Sequence, residues 1–169
     1  MRAVTISQLR HSIKTANEAL FPHRVRLLEE NNRLLTAKSS EQELEFGKKS
    51  LDISRLEGAN NAGSQVQDAL GVAWLLASLR DDMRDGKDKA LLNEQLSHYL
   101  ADARNSAERA HPYVSSLFAE STTPGVAVDI GKLRDAVGVV IADLRQCTPP
   151  AGSACRRSFD KPSGIGRNC

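Results

Sequence analysis

Between residues 92 and 117 the apolar and small side chains Leu92, Leu96, Tyr99, Ala103, Ala107, Ala110, Val114 and Leu117 recur at spacings of three and four residues. At about 100° of rotation per residue this pattern keeps every one of them on a single stripe of an α-helix. A strand cannot use it, because successive residues of a strand face opposite sides. The same alternation recurs in Ile6, Leu9, Ile13, Ala16 and Leu20, and again in Val126, Ile130, Leu133, Val137, Val140 and Leu144. Each stripe has to be buried against another helix, so the chain is constrained to an all-α packing before any other feature is read.

Composition agrees with this constraint. Of 169 residues 40% are hydrophobic but only 4% aromatic, which suits Leu/Ala/Val helix packing better than a β-sandwich or barrel. Collagen-like, mucin-like and wholly disordered chains are excluded. The length fits one domain, and the expected fold is an antiparallel bundle of four to five helices over residues 1–146 with an irregular Cys/Pro/Gly-rich tail at 147–169. No fixed-period repeat supports a solenoid.

Punctuation divides the stripes. Pro22 kinks the first helix or opens the next one. A second run, Val25 to Leu35, carries Leu27, Leu28, Leu34 and Leu35 around Glu29-Glu30-Asn31-Asn32-Arg33, and it is expected to continue, with at most a slight break at Ser39-Ser40, through Leu44, Leu51 and Leu56. In the case of a break, Ser40 and Glu43 form a capping box. Residues 58–64, GANNAGS, combine two glycines with two asparagines and predict a loop, with Ser64 capping a helix over 65–85 that buries Val66, Ala69, Leu70, Ala73, Leu76, Leu79 and Met83. Asp85-Gly86 and Ser121-Thr122-Thr123-Pro124-Gly125 predict turns, and Pro112 is expected to bend or split its helix near Ala110.

Net charge is only +2, distributed as +2 over residues 1–60, −3 over 61–146 and +3 over 147–169. That balance, with dispersed basic residues and no aromatic stacking platform, argues against a nucleic-acid partner. No apolar stretch approaches the roughly 20 residues a membrane span needs, so no membrane partner is expected. The first residues show no secretory pattern, which predicts a cytoplasmic protein, or a periplasmic or secreted one if a signal was removed.

Chemical constellations are sparse. Glu108 and His111 have a Glu-x-x-His spacing, but a di-iron bundle needs two such motifs and further glutamates, and the pair lies beside the helix seam. Glu94 and His98 read as an exposed helical pair. Cys147, Cys155 and Cys169 lack the close pair of a zinc site, and a Cys147–Cys155 or Cys155–Cys169 disulfide is the better use of them. Arg156 and Arg157 would favour a Cys155 thiolate, without a neighbouring histidine in sequence. Catalytic residues, metals and cofactors are therefore not expected. The function expected by exclusion is a non-enzymatic helical protein-interaction module, such as an inhibitor, immunity protein, assembly factor or chaperone-like binder. Its candidate contacts are Leu27, Asn31 and Leu34, in a coiled-coil pattern that would pair a homodimer or protein partner, and Arg156 and Arg157 on the basic tail. A helical sensor binding a small ligand is the alternative. A buried cluster such as Arg80, Arg104 or His98 facing a cavity would favour the sensor, and an exposed apolar patch the partner binder.

Overall fold

The computed structural model describes residues 1–36 and 40–147, and they form five helices: α1 (Ala3–Glu18), α2 (Phe21–Leu35), α3 (Ser40–Asp82), α4 (Lys87–Glu120) and α5 (Pro124–Cys147). The chain is an all-α bundle, as the stripes require. α1, α3, α4 and α5 pack in a ring, α1 on α3, α3 on α4, α4 on α5 and α5 back on α1, each antiparallel to its neighbours. α2 leaves this ring at the elbow Ala19-Leu20 and packs along the amino-terminal part of α3.

The buried stripes largely follow the periodicity. Ile6, Leu9, Ile13, Ala16 and Leu20 are all buried, as are Val126, Ile130, Leu133, Val137, Val140 and Leu144. On α4, Leu96, Ala103, Ala107, Ala110, Val114 and Leu117 are buried, joined by Leu100, while Tyr99 packs half-buried against the same core. Pro22 stands in the first turn of α2, where its missing N–H costs nothing. Pro112, in contrast, lies inside α4 without splitting it, because Ala110 and Val114 on either side are locked into the core.

The expected loop at 58–64 is instead the middle of α3, a helix of 43 residues and so about 65 Å long. Glycine and asparagine weaken a helix locally, but here their small size is what the neighbours require. A Cβ on Gly63 would lie 2.8 Å from Asn17 Oδ1 and 3.1 Å from Leu133 Cδ1, and one on Gly58 would run into the Tyr113 hydroxyl. Ser64 is not an N-cap. Its hydroxyl accepts a hydrogen bond from Asn17 Nδ2 at 3.3 Å, and the same amide donates to the Asn60 carbonyl at 3.2 Å.

Two further expectations are corrected. The second run does not continue into Leu44, Leu51 and Leu56: α2 ends at Leu35, and α3 starts at Ser40 and returns alongside it. Leu79 is 57% exposed rather than buried, because the inward stripe of α3 runs Val66, Leu70, Ala73, Ala77, and two residues past Ala77 a helix has turned about 200°.

Truncating Leu133, which is fully buried where α1, α3 and α5 meet, is expected to cost about 2–5 kcal/mol in thermal or denaturant unfolding. Gly63→Ala should lower the melting temperature, since Asn17 is held by two hydrogen bonds and cannot swing aside. Gly47→Ala, with none of the described residues within 4 Å of its Cβ position, should raise it by a helix-propensity gain of about 0.5–1 kcal/mol. Equal effects of the two alanines would contradict the close approach at Gly63.

Candidate interaction surface

α4 stops before α3 does. Its last residue, Glu120, stands by Arg55, with 3.7 Å between the Glu120 carboxylate and the Arg55 guanidinium. The part of α3 before Asp52 therefore extends beyond the ring and, among the described residues, packs along α2. The two helices form an arm. Lys49 Nζ meets Glu30 Oε2 at 2.7 Å midway along it, and Arg24 Nη2 donates to Glu57 Oε1 at 3.2 Å at its root. The Lys49 hydrogen bond also holds the Glu30 carboxyl below its ordinary range, against a smaller desolvation effect that raises it.

This arm resolves the four leucines of the second run into two pairs. Leu27 and Leu34 are buried, Leu27 in the main core, so the residues expected to pair copies are turned toward α3. An interchain seam at Leu27, Asn31 and Leu34 would require α2 to leave that position. Asn31 lies between them half-buried, its Oδ1 withdrawn from solvent and without a hydrogen-bond partner among the described residues. One residue further on, and so about 100° around the helix, Leu28 and Leu35 face outward, and Leu35 is 62% exposed. On α3 Leu44 is 73% exposed and Leu51 52% exposed. Both belong to the stripe that, seven residues after Leu51, contains Gly58, where Tyr113 of α4 packs. Among the described residues the stripe is thus covered by α4 from Arg55 onward, while Leu51 and Leu44 before it are exposed. Sequence periodicity already placed Leu44 and Leu51 on a helix; what it lacked was the end point of α4.

Polar contacts pin the root of the arm. Asp52, nearly buried, accepts hydrogen bonds from Arg55 Nη1 and from Thr123 Oγ1 in the α4–α5 turn, each at 3.2 Å. His23 Nε2 lies 2.7 Å from Asp129 Oδ2, and Lys132 Nζ donates to Asp129 Oδ1 at 2.6 Å, which ties the start of α2 to α5. Gly125 lets this histidine in, for a Cβ there would lie 3.0 Å from His23 Cε1. Burial pushes the Asp129 carboxyl upward, but the hydrogen bonds from Lys132 and His23, with their charges, outweigh it and leave it below the usual carboxylate range.

The remaining candidates are dispersed. Glu108 binds Arg145 Nε at 2.9 Å, whereas His111 lies against Gly138 on α5, so the Glu-x-x-His pair does not converge. His98 is exposed and 3.5 Å from Asp102. Arg80 reaches the Met1 carbonyl and Asp81, not a cavity. Among the described residues no three His, Cys, Asp or Glu side chains gather as a metal site, and no helix is long and apolar enough to cross a membrane. An open groove of about 410 Å³ between α3 and α4 is lined by Gly58, Asn61, Gln65, Arg109 and Tyr113. Cys147 is exposed at the end of α5, one residue past the expected bundle limit, while Cys155, Cys169, Arg156 and Arg157 lie outside the described residues. Comparison with family models, with curated proteins and with solved structures finds no match to the chain.

The Asp129 cluster generates a signed prediction. A carboxyl lowered in the folded state adds stability at neutral pH that is lost as pH falls through its folded-state value. Asp129→Asn should therefore melt below the wild type at pH 7, by about 1–3 kcal/mol of lost charged hydrogen bonds. The gap should narrow as acidification carries the pH below the ordinary aspartate value of about 3.9 and on through the lower folded-state value, where the wild-type carboxyl itself becomes protonated. Parallel melting curves across that range would exclude the role.

Proposed function

We propose that the chain is a non-enzymatic interaction module that binds another protein chain through the α2–α3 arm. The observation that supports this reading is the row of large apolar side chains, Leu28, Leu35, Leu44 and Leu51, held outward on two helices that are otherwise well anchored. Scattered exposed leucines are ordinary on a protein surface, but here a seven-residue spacing recurs on both helices, which sets the two leucines of each helix on one side of it. Helical edges of this kind dock against a complementary helix or groove. Of the three side chains that the sensor alternative calls on, His98 is exposed, Arg80 is bonded to the Met1 carbonyl and Asp81, and Arg104 is half-buried on α4. That alternative retains one supporting feature, the groove containing Arg109 and Tyr113, whose donors suit a small carboxylate.

Replacing Leu35, Leu44 and Leu51 together by serine tests the arm. These side chains contribute little to the core, so the melting temperature should change only slightly, by less than about 0.5 kcal/mol per site. Affinity isolation with intact chain and triple variant is expected to lose the bound protein with the variant. Recovery of the same protein with undiminished yield would sink the arm as the binding surface, and saturable stabilisation of the chain by small carboxylates, abolished by Arg109→Ala, would favour the ligand-binding alternative.

A further inference from the structure

At the end of α3 away from the arm, a second apolar ridge faces outward. Asp68, Val72, Leu75, Leu79 and Asp82 follow one another at spacings of four, three, four and three, and all five are exposed. Leu75 is 54% exposed and Leu79 57%. Asp68 and Asp82 stand seven residues to either side of Leu75, about 10 Å along the helix, and neither carboxylate meets a cation among the described residues. Their neighbours Asp81 and Asp85 are already engaged, by Arg80 and by Lys89. The ridge is therefore apolar at its centre and acidic at both ends.

The chain beyond α5 carries the complementary pattern and leaves the bundle at this end. The Ala3 amide donates to Asp81 and Arg80 reaches the Met1 carbonyl, so α1 begins where α3 finishes. α5, antiparallel to α1, finishes there too, and residues 148–169 start from it. They hold Arg156, Arg157, Lys161 and Arg167 against Asp160 alone. Laid out as a strand, Arg157-Ser158-Phe159-Asp160-Lys161 sets Arg157, Phe159 and Lys161 on one side and Asp160 on the other. Pro162 favours that layout, because the residue before a proline avoids helical backbone. Each cation then stands about 7 Å from the phenylalanine, and its long side chain covers the further 3 Å or so to the spacing of the aspartates.

Reach decides between the apolar surfaces. Phe159 follows Cys147 by 12 residues, a span of at most about 40 Å. The path from the end of α5 round the end of the ring to Leu75 on the far side is about 30 Å. Leu51 on the arm lies 31 residues before Asp82, about 46 Å down α3, and is out of range.

We propose that residues 157–161 of the chain dock on this ridge of their own bundle, antiparallel to α3, with Phe159 on Leu75 and Leu79, Arg157 at Asp82 and Lys161 at Asp68. The docking is separate from the arm and does not depend on what the arm binds. A Cys147–Cys155 disulfide would leave only about 13 Å of chain before Phe159, so docking requires that pair to be open.

Trp74, the chain's single tryptophan, lies half-buried beside Leu75 and serves as the reporter. In the full chain with Cys147, Cys155 and Cys169 changed to serine, a nitroxide is attached to Ser158→Cys, whose side chain faces away from the ridge. Trp74 fluorescence is expected to be quenched relative to the same sample with the nitroxide reduced. Phe159→Ser should relieve the quenching, as should Leu75→Ser/Leu79→Ser, with helical dichroism unchanged because these leucines are exposed. Asp68→Lys/Asp82→Lys should relieve it as well, and adding Arg157→Asp/Lys161→Asp to that variant should restore it. This rescue separates a docked segment from a merely destabilised bundle. Absence of quenching in the unaltered ridge overturns the proposal, and so does quenching indifferent to Phe159→Ser or to the charge reversal, or a charge exchange that fails to restore it. Quenching that grows with chain concentration would assign the ridge to the tail of another copy and overturn the intramolecular docking.

Discussion

The close approach of α1, α4 and α5 to the middle of α3 is the constraint on which the rest of the molecule depends. Gly58, Ala59, Ala62 and Gly63 offer almost no side chain over two turns, and the three neighbours fill that space with Tyr113, Asn17 and Leu133. Larger residues would push the neighbours apart and open voids along stripes built from alanine and valine, which cannot extend to fill them. The polar atoms brought inside are only partly compensated. Asn17 donates to Asn60 and Ser64, while its Oδ1 finds no partner among the described residues, a cost borne by the packing around it.

The same tract explains where sequence reasoning succeeds and where it fails. Stripes such as Val126 to Leu144 are legible because the period that makes a helix amphipathic is also the period that packs it, so local and tertiary preferences agree. At GANNAGS they disagree. Backbone propensity favours a turn, and helix continuity is decided by Asn17 and Leu133, residues far away in sequence. Leu79 fails for a related reason: with alanine at 73 and 77 the inward stripe has too little hydrophobic contrast to fix its phase from sequence, and a rotation by one position reverses which leucine is outside.

The arm was half legible. Heptad spacing identifies Leu27 and Leu34 as one edge and Leu28 and Leu35 as another, but nothing in the local sequence says which edge is inward. That choice follows from the break after Leu35, which folds α3 back along α2 and lets Glu30 meet Lys49. Asn31, which in a parallel pair of helices would set register, is instead withdrawn inside a single chain. The coiled-coil pattern thus reports a helical contact that α2 makes with α3 within the chain.

The polar pins lie at the root of the arm for a physical reason. A two-helix hairpin beyond a bundle has apolar contact on one side only and would hinge about its base if burial alone held it. Asp52 with Arg55 and Thr123, and Asp129 with His23 and Lys132, fix α3 to the α4–α5 turn and α2 to α5, on two sides of the base. Both sets are partly buried, where geometry rather than screening governs their strength. An arm so anchored presents Leu44 and Leu51 in a defined direction, and the ordering cost of docking against it is correspondingly reduced. The rigidity of the base and the exposure of the leucines are two parts of one arrangement: without the pins those side chains could fold down onto the bundle, and without the exposed edge the pins would hold out an arm with nothing to present.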